Sequence, residues 1–155
     1  MLNEALKEKG FTELFPEVSF DAEAEGFFQN VKVLGVNVYR KSRRIEVQTR
    51  SDQLIPARVI SELEKRFAEH FRLDSFTIKT TYDLDLSLEE ILENYWESIV
   101  HMVNSKIALS RGIFNGCDWL LEGGRLRINL KVPGGALLKS QDCHRIIEEF
   151  IRDSF

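Results

Sequence analysis

Cysteine is scarce: only Cys117 and Cys143 occur in 155 residues. Two cysteines without regular spacing make neither a disulfide framework nor a metal-ligand motif, so both thiols are expected to be reduced, in a cytoplasmic protein. No apolar run approaches the roughly 20 residues of a membrane span. The acidic first residues resemble neither a signal nor a transit peptide, and no membrane partner is implied. The phosphate-binding pattern Gly-x-x-x-x-Gly-Lys-Ser and the dinucleotide pattern Gly-x-Gly-x-x-Gly are both missing. No serine or cysteine stands in a nucleophile context such as Gly-x-Ser-x-Gly. These absences argue against an enzyme and imply no cofactor.

What is present is an ordinary globular composition, 43% hydrophobic and 30% charged, with 11 phenylalanines to fill a core. A chain of this length buries enough surface to need no covalent staple, as one domain or two small ones. The net charge of −4 conceals blocks. Residues 1–30 set Lys7 and Lys9 against Glu4, Glu8, Glu13, Glu17, Asp21, Glu23 and Glu25, a balance of −5. Residues 31–58 set Lys32, Arg40, Lys41, Arg43, Arg44, Arg50 and Arg58 against Glu46 and Asp52, a balance of +5. Residues 83–104 hold six carboxylates and no lysine or arginine. Such segregation marks docking surfaces, between domains or toward partners, or else a solvated mosaic.

The pattern is clearest between Val31 and Tyr82. Val31, Val33, Val36 and Val38 alternate with polar residues, the basic stretch Arg40 to Arg44 interrupts, and Ile45, Val47 and Thr49 resume the alternation. Period-two patterning on both sides of a polar break predicts a hairpin with one buried face. Pro56 suits the first turn of a helix whose apolar face is Val59, Ile60, Leu63, Phe67 and Phe71. Phe76 to Tyr82 returns to strand chemistry beside the hairpin. Upstream, Leu2 to Gly10 reads as a short amphipathic helix with Gly10 as its C-cap. Asp21 is placed to cap a second helix through Phe28, and Phe27 and Phe28 need cover, so this segment is expected to pack on the sheet.

Ser87 and Glu90 have the spacing of a capping box. Behind them Leu88, Ile91, Leu92, Tyr95, Ile99, Met102 and Val103 form the apolar stripe of a helix reaching about Asn104. Cys117 to Glu122 reads as a strand, Gly123 and Gly124 as a two-residue turn, and Arg125 to Val132 as its partner, with Leu126, Ile128, Leu130 and Val132 inward. A last amphipathic helix uses Leu137, Leu138, Ile146, Ile147, Phe150 and Ile151. The expected fold class is α+β: two small modules, each a β-hairpin or small antiparallel or mixed sheet packed with helices. The expected organisation is an N-terminal helical extension over 1–30, a ββαβ module over 31–84 and an αββα module over 85–155. The second half echoes the first but lacks a strand after its last helix, so the chain reads as cut from a longer protein.

Few residues suggest chemistry. His70, His101 and His144 have no histidine four residues away, and adjacent Cys143 and His144 diverge by about 100° around a helix, which suits no single ion. Asp83 and Asp85 share one side of an extended chain, where helix-entry punctuation outweighs metal binding. The basic hairpin stands out: Arg40, Lys41, Arg43 and Arg44 cluster at its tip, with Arg50 and Arg58 nearby. These six are the candidate contact residues for a partner protein or for nucleic acid, against the plain alternative of a solvated turn. A K-homology Gly-x-x-Gly loop is absent, Gly112 and Gly116 having the wrong spacing.

The segment "VNVYRKSRRIEVQTRSDQLIPARVISELEKRF" resembles the N-terminal region of PolC-type DNA polymerase III α subunits. The basic turn, the Leu54, Ile55 and Pro56 helix entry and the helix closing at Phe67 carry the likeness. "ENYWESIV", the closing hairpin and "HRIIEEFI" are similar to the second N-terminal domain of that family, and Phe15 and Pro16 before acidic residues fit its start. The resemblance implies a noncatalytic leader of a replicative polymerase, with domains like the C-terminal domain of the clamp-loader tau subunit or like type II K-homology folds. It implies a protein-interaction adaptor toward tau or another replisome protein. The alternative is a module binding single-stranded or primer-template DNA through the hairpin tip.

Overall fold

The computed structural model describes residues 9–155. The chain divides into two compact units, Met1–Asp85 with Ser154–Phe155, and Leu86–Asp153. Among the described residues there are six α-helices, a three-stranded mixed sheet and a two-stranded antiparallel sheet, an α+β architecture.

The first unit runs α1 (Phe11–Leu14), α2 (Ala22–Phe28), β1 (Lys32–Tyr39), β2 (Arg44–Ser51), α3 (Ala57–His70) and β3 (Ser75–Tyr82). The strands lie in the order β1-β2-β3, with β1 antiparallel to β2 and β3 parallel to β2. A parallel neighbour needs a crossover, and α3 supplies it. The valine alternation changes phase between Val33 and Val36. The ladder absorbs this as a β-bulge, Val33 pairing with Thr49 and Gly35 with Gln48, which leaves Leu34 as the extra residue. Valines on both sides of the bulge therefore reach the same face.

That inner face meets α3 and the segment before β1. Phe67 of α3 stacks on Phe76 of β3 at 4.7 Å between ring centroids, and Phe11, Phe15, Phe20 and Phe71 surround it at 5.0 to 6.2 Å from Phe67 or from a neighbouring ring. Phe11, Phe28 and Phe67 are fully buried, so residues 11–28 are part of the core. Tilted and edge-to-face arrangements suit the ring quadrupoles. Asp21 caps α2 as expected, accepting the Ala24 N–H at 2.8 Å. The segment is tied to α3 by Arg58 with Glu23 at 2.7 Å and Arg66 with Asp21 at 3.6 Å, so part of the acidic block meets part of the basic one inside this unit.

Two expectations change here. The helix expected from Leu2 lies outside the described residues except at Lys9 and Gly10. Gly10 is no helix C-cap: its backbone is extended and bridges antiparallel to Lys32, while Phe11 N–H donates to the Val31 carbonyl at 2.8 Å. This pairing covers the start of the outer edge of β1. Pro56 precedes the helix as its N-cap rather than opening its first turn, since ψ of 134° is not helical.

The second unit contains α4 (Leu88–Lys106), a 3-10 turn (Ala108–Ser110), β4 (Asp118–Glu122), β5 (Arg125–Asn129), α5 (Gly135–Ser140) and α6 (Cys143–Ser154, whose last residue groups with the first unit). Ser87 and Glu90 form the expected reciprocal capping box. Ile91, Leu92, Tyr95, Ile99 and Val103 are buried along α4, and Tyr95 stacks on Phe150 of α6 at 6.2 Å. Gly123 and Gly124 take φ of 55° and 75°, the left-handed pair a two-residue hairpin requires.

The partner strand is shorter than its alternation suggests. β4 begins at Asp118, opposite Asn129, so no ladder partner exists beyond that point, and Val132 is exposed rather than inward. The last helix is also two helices. Asp142 N–H donates to the Lys139 carbonyl at 3.2 Å and Asp142 takes φ of 52°, a conformation that aspartate tolerates better than most residues. The turn re-aims the chain before Cys143 and Ile147, both buried.

Candidate interaction surfaces

The β1–β2 turn holds four of the basic candidates, and each has a different situation. Arg43 has φ of 48°, and its N–H closes the turn on the Arg40 carbonyl at 3.2 Å. Its guanidinium donates to the Arg72 carbonyl, and its own carbonyl accepts the Asp74 N–H at 2.8 Å. Arg43 thus anchors the turn to the α3–β3 connection. Arg44 lies over the Tyr39 ring at 4.5 Å to the centroid, an exposed cation–π pair across the ladder. Arg40 and Lys41 are exposed, with no acidic partner among the described residues.

Arg50 and Arg58 are elsewhere. Arg50 is exposed on the outer sheet face, six residues along β2 from Arg44, about 20 Å at strand rise. Arg58 is on α3, against the opposite sheet face, where it also meets Glu62 at 3.5 Å in addition to Glu23. Its guanidinium pKa is raised, first by the Glu23 hydrogen bond. The six residues therefore do not converge on one patch.

The outer sheet face carries two cations that the sequence pattern did not single out. Lys32 pairs across the ladder with Arg50, and Lys79 of β3 pairs with Gln48. Lys79 also binds Glu46 at 3.1 Å, the sole acidic residue in the outward register of these strands. Register between β2 and β3 depends on a crossover, and no local signal in the sequence announces it.

In the second unit, Trp119 pairs with Ile128 and Leu121 with Leu126 on one face of the hairpin. All four are only half-buried. The other face presents Asp118, Leu120, Glu122, Arg125, Arg127 and Asn129, with Leu120 45% exposed. A two-stranded ribbon with an incompletely buried apolar face is one that a docking strand or helix can cover further. On α4, Glu89, Glu93 and Glu97 are exposed at i, i+4 spacing, an acidic stripe along one side.

No group of three or more metal-ligating side chains gathers among the described residues. Asp83 and Asp85 are exposed; Cys143 is buried beside exposed His144, and burial pushes its thiol pKa up. Cys117 and Cys143 are both free thiols. No helix among the described residues is long and apolar enough to cross a membrane.

The first unit is a β-hairpin joined through a helix to a parallel strand, the second a helix–hairpin–helix unit, and each overlaps a separate family match. Residues 10–82 match the family described as DNA polymerase III polC-type N-terminus I, and residues 94–155 match polC-type N-terminus II. The chain belongs to the N-terminal region of PolC-type DNA polymerase III, a DNA replication polymerase. No curated protein and no solved structure matches it.

Proposed function

We propose that this region is a noncatalytic, cytoplasmic adaptor of the replicative polymerase, binding the clamp-loader tau subunit or another replisome protein. The observation that carries the reading is the incompletely buried apolar face of the β4–β5 hairpin, built from Trp119, Leu121, Leu126 and Ile128. Tryptophan and leucine at a partly dry centre supply affinity by leaving water, and flanking charge supplies orientation. On the ribbon's other face Asp118, paired with Lys131 at 3.1 Å, and Glu122 stand on one strand and Arg125 and Arg127 on the other, so charge there is sorted by strand. The acidic stripe Glu89, Glu93 and Glu97 adds a second orienting feature on α4.

Calorimetry with the purified C-terminal region of tau tests this. Binding should be saturable, with a negative heat-capacity change from apolar burial. In a Trp96→Phe background, leaving Trp119 as the sole indole, complex formation should shift the fluorescence to shorter wavelength. Trp119→Ala should weaken binding at least tenfold while leaving the fold intact by circular dichroism. Absence of heat at high micromolar concentration of both folded proteins would contradict the tau reading.

A further inference from the structure

We infer that the outer face of the β1–β2–β3 sheet, not the hairpin tip, is a surface for the phosphate backbone of single-stranded nucleic acid. The helices of this unit pack on the inner face, through Phe67, Leu63 and Val59, all buried. The outward register carries Lys32 opposite Arg50, Gly35 opposite Gln48, Asn37 opposite Glu46 and Tyr39 opposite Arg44, with Ser75, Thr77, Lys79 and Thr81 along β3. Lys32, Arg44, Arg50 and Lys79 are exposed. Glu46 is spent on Lys79, and neither Lys32 nor Arg50 has an acidic partner among the described residues.

The cations form a strip rather than a cluster. Arg50 and Lys32 stand at one end and Arg44 near the other, about 20 Å away at strand rise, with Lys79 between them and Arg40 and Lys41 beyond. Gly35 has no side chain and is itself buried, the Gln48 Oε1 lying 3.6 Å from where a Cβ would stand, so no β1 side chain rises from the centre of the face. Asp52 and Asp83 follow β2 and β3 past Arg50, and Asp74 precedes β3, so the one carboxylate inside the strip is Glu46, held by Lys79, and the others bound it. A linear, shallow, cationic strip suits a backbone of evenly spaced phosphates. Tyr39, 40% exposed beneath Arg44, offers a stacked ring and guanidinium for a base at one end. An acidic protein surface would need no such ring, and the chain belongs to a DNA polymerase region.

The test uses the full chain and a fluorescein-labelled oligothymidylate, followed by anisotropy over a series of salt concentrations. Binding should appear at low salt with a negative log–log slope. The double variant Lys32→Ser, Arg50→Ser should lower that slope by about 1.4, at about 0.7 per single-strand phosphate contact. Arg58→Ser, on the opposite side, should leave it unchanged. Lysine acetylation read by mass spectrometry on the unaltered chain gives a measurement free of substitution: oligothymidylate should slow Lys32 and leave Lys65 of α3 unaffected. The inference is overturned by no binding at low salt, by an unchanged slope in the double variant, or by Lys32 reacting equally with and without oligonucleotide. Polyglutamate competing as well as unlabelled oligothymidylate would also overturn it, in favour of an acidic protein partner.

Discussion

The carboxylate of Glu64, on α3, accepts the backbone N–H of Ile78, on β3, at 2.8 Å. β3 is an edge strand, so its free N–H groups are open to any added strand, and Glu64 occupies one of them. The location is costly for a charge: burial pushes the carboxyl up to about 7, against the downward pull of the Ile78 N–H.

That shift gives Glu64 a pH signature. The folded-state value lies above the unfolded one, so the folded chain holds the proton more tightly. Stability contributed by this group is complete below about pH 4.5 and is lost as pH rises toward 7. Glu64→Gln keeps an acceptor for Ile78 and removes the titration. Denaturant melts at neutral pH should show a gain of roughly 1–3 kcal/mol, and the fall in stability between those pH values should flatten. A variant less stable than the parent at pH 7.5 would show that the charged carboxylate is favourable there.

Arg72 ends α3 in a left-handed conformation, φ 54°. Leu73 N–H reaches the Ala68 carbonyl at 2.8 Å and Arg72 N–H the Glu69 carbonyl at 3.2 Å, the two bonds of a Schellman closure that ordinarily uses glycine. The Arg72 carbonyl, which accepts from Arg43, belongs to the backbone and survives substitution. Arg72→Gly should therefore stabilise the chain by about 1 kcal/mol, read as a higher denaturant midpoint with unchanged slope.

The start of α4 rests on Ser87, whose hydroxyl accepts the Glu90 N–H at 3.2 Å while Ser87 N–H donates to the Glu90 carboxylate at 2.7 Å. The Ser87 N–H, then its hydroxyl, hold the Glu90 carboxyl below the usual carboxylate range. This contribution is present above the unfolded value and lost as pH falls through the folded one. Ser87→Ala should cost about 1 kcal/mol at neutral pH and less in acid, measurable by thermal melts at both.

Gly134 occupies φ of 149°, and a Cβ there would come within 2.7 Å of Ile113 Cδ1. Backbone strain and overpacking act together, so Gly134→Ala should destabilise by roughly 2–4 kcal/mol. Gly124→Ala is the control, since it also has positive φ but open space around it. It should cost about 1–2 kcal/mol, the backbone contribution alone.

Local signals in the sequence were legible because their partners lie within a few residues. The Asp21 cap, the Ser87 and Glu90 box and the Gly123–Gly124 turn all stand where spacing puts them. Features that depend on distant partners were not. Gly10 reads as a helix end until Lys32 is beside it, and Val132 reads as inward until β4 is seen to begin at Asp118. The break at Asp142 hid within an unbroken apolar periodicity. Among the candidate contacts, charge density found Arg40 to Arg44 but missed that Arg43 serves the Arg72 carbonyl and Arg58 serves Glu23. Lys32 and Lys79 join Arg50 on one face through strand register, which one of them reaches only across the α3 crossover.

Hydrogen exchange of the full chain with and without the tau C-terminal region tests the adaptor reading most directly. The account predicts slowed amide exchange in β4 and β5, between Asp118 and Asn129, on binding, where a docked partner covers the Trp119 face. The same exchange pattern with and without saturating tau, or protection confined to the first unit, would contradict it.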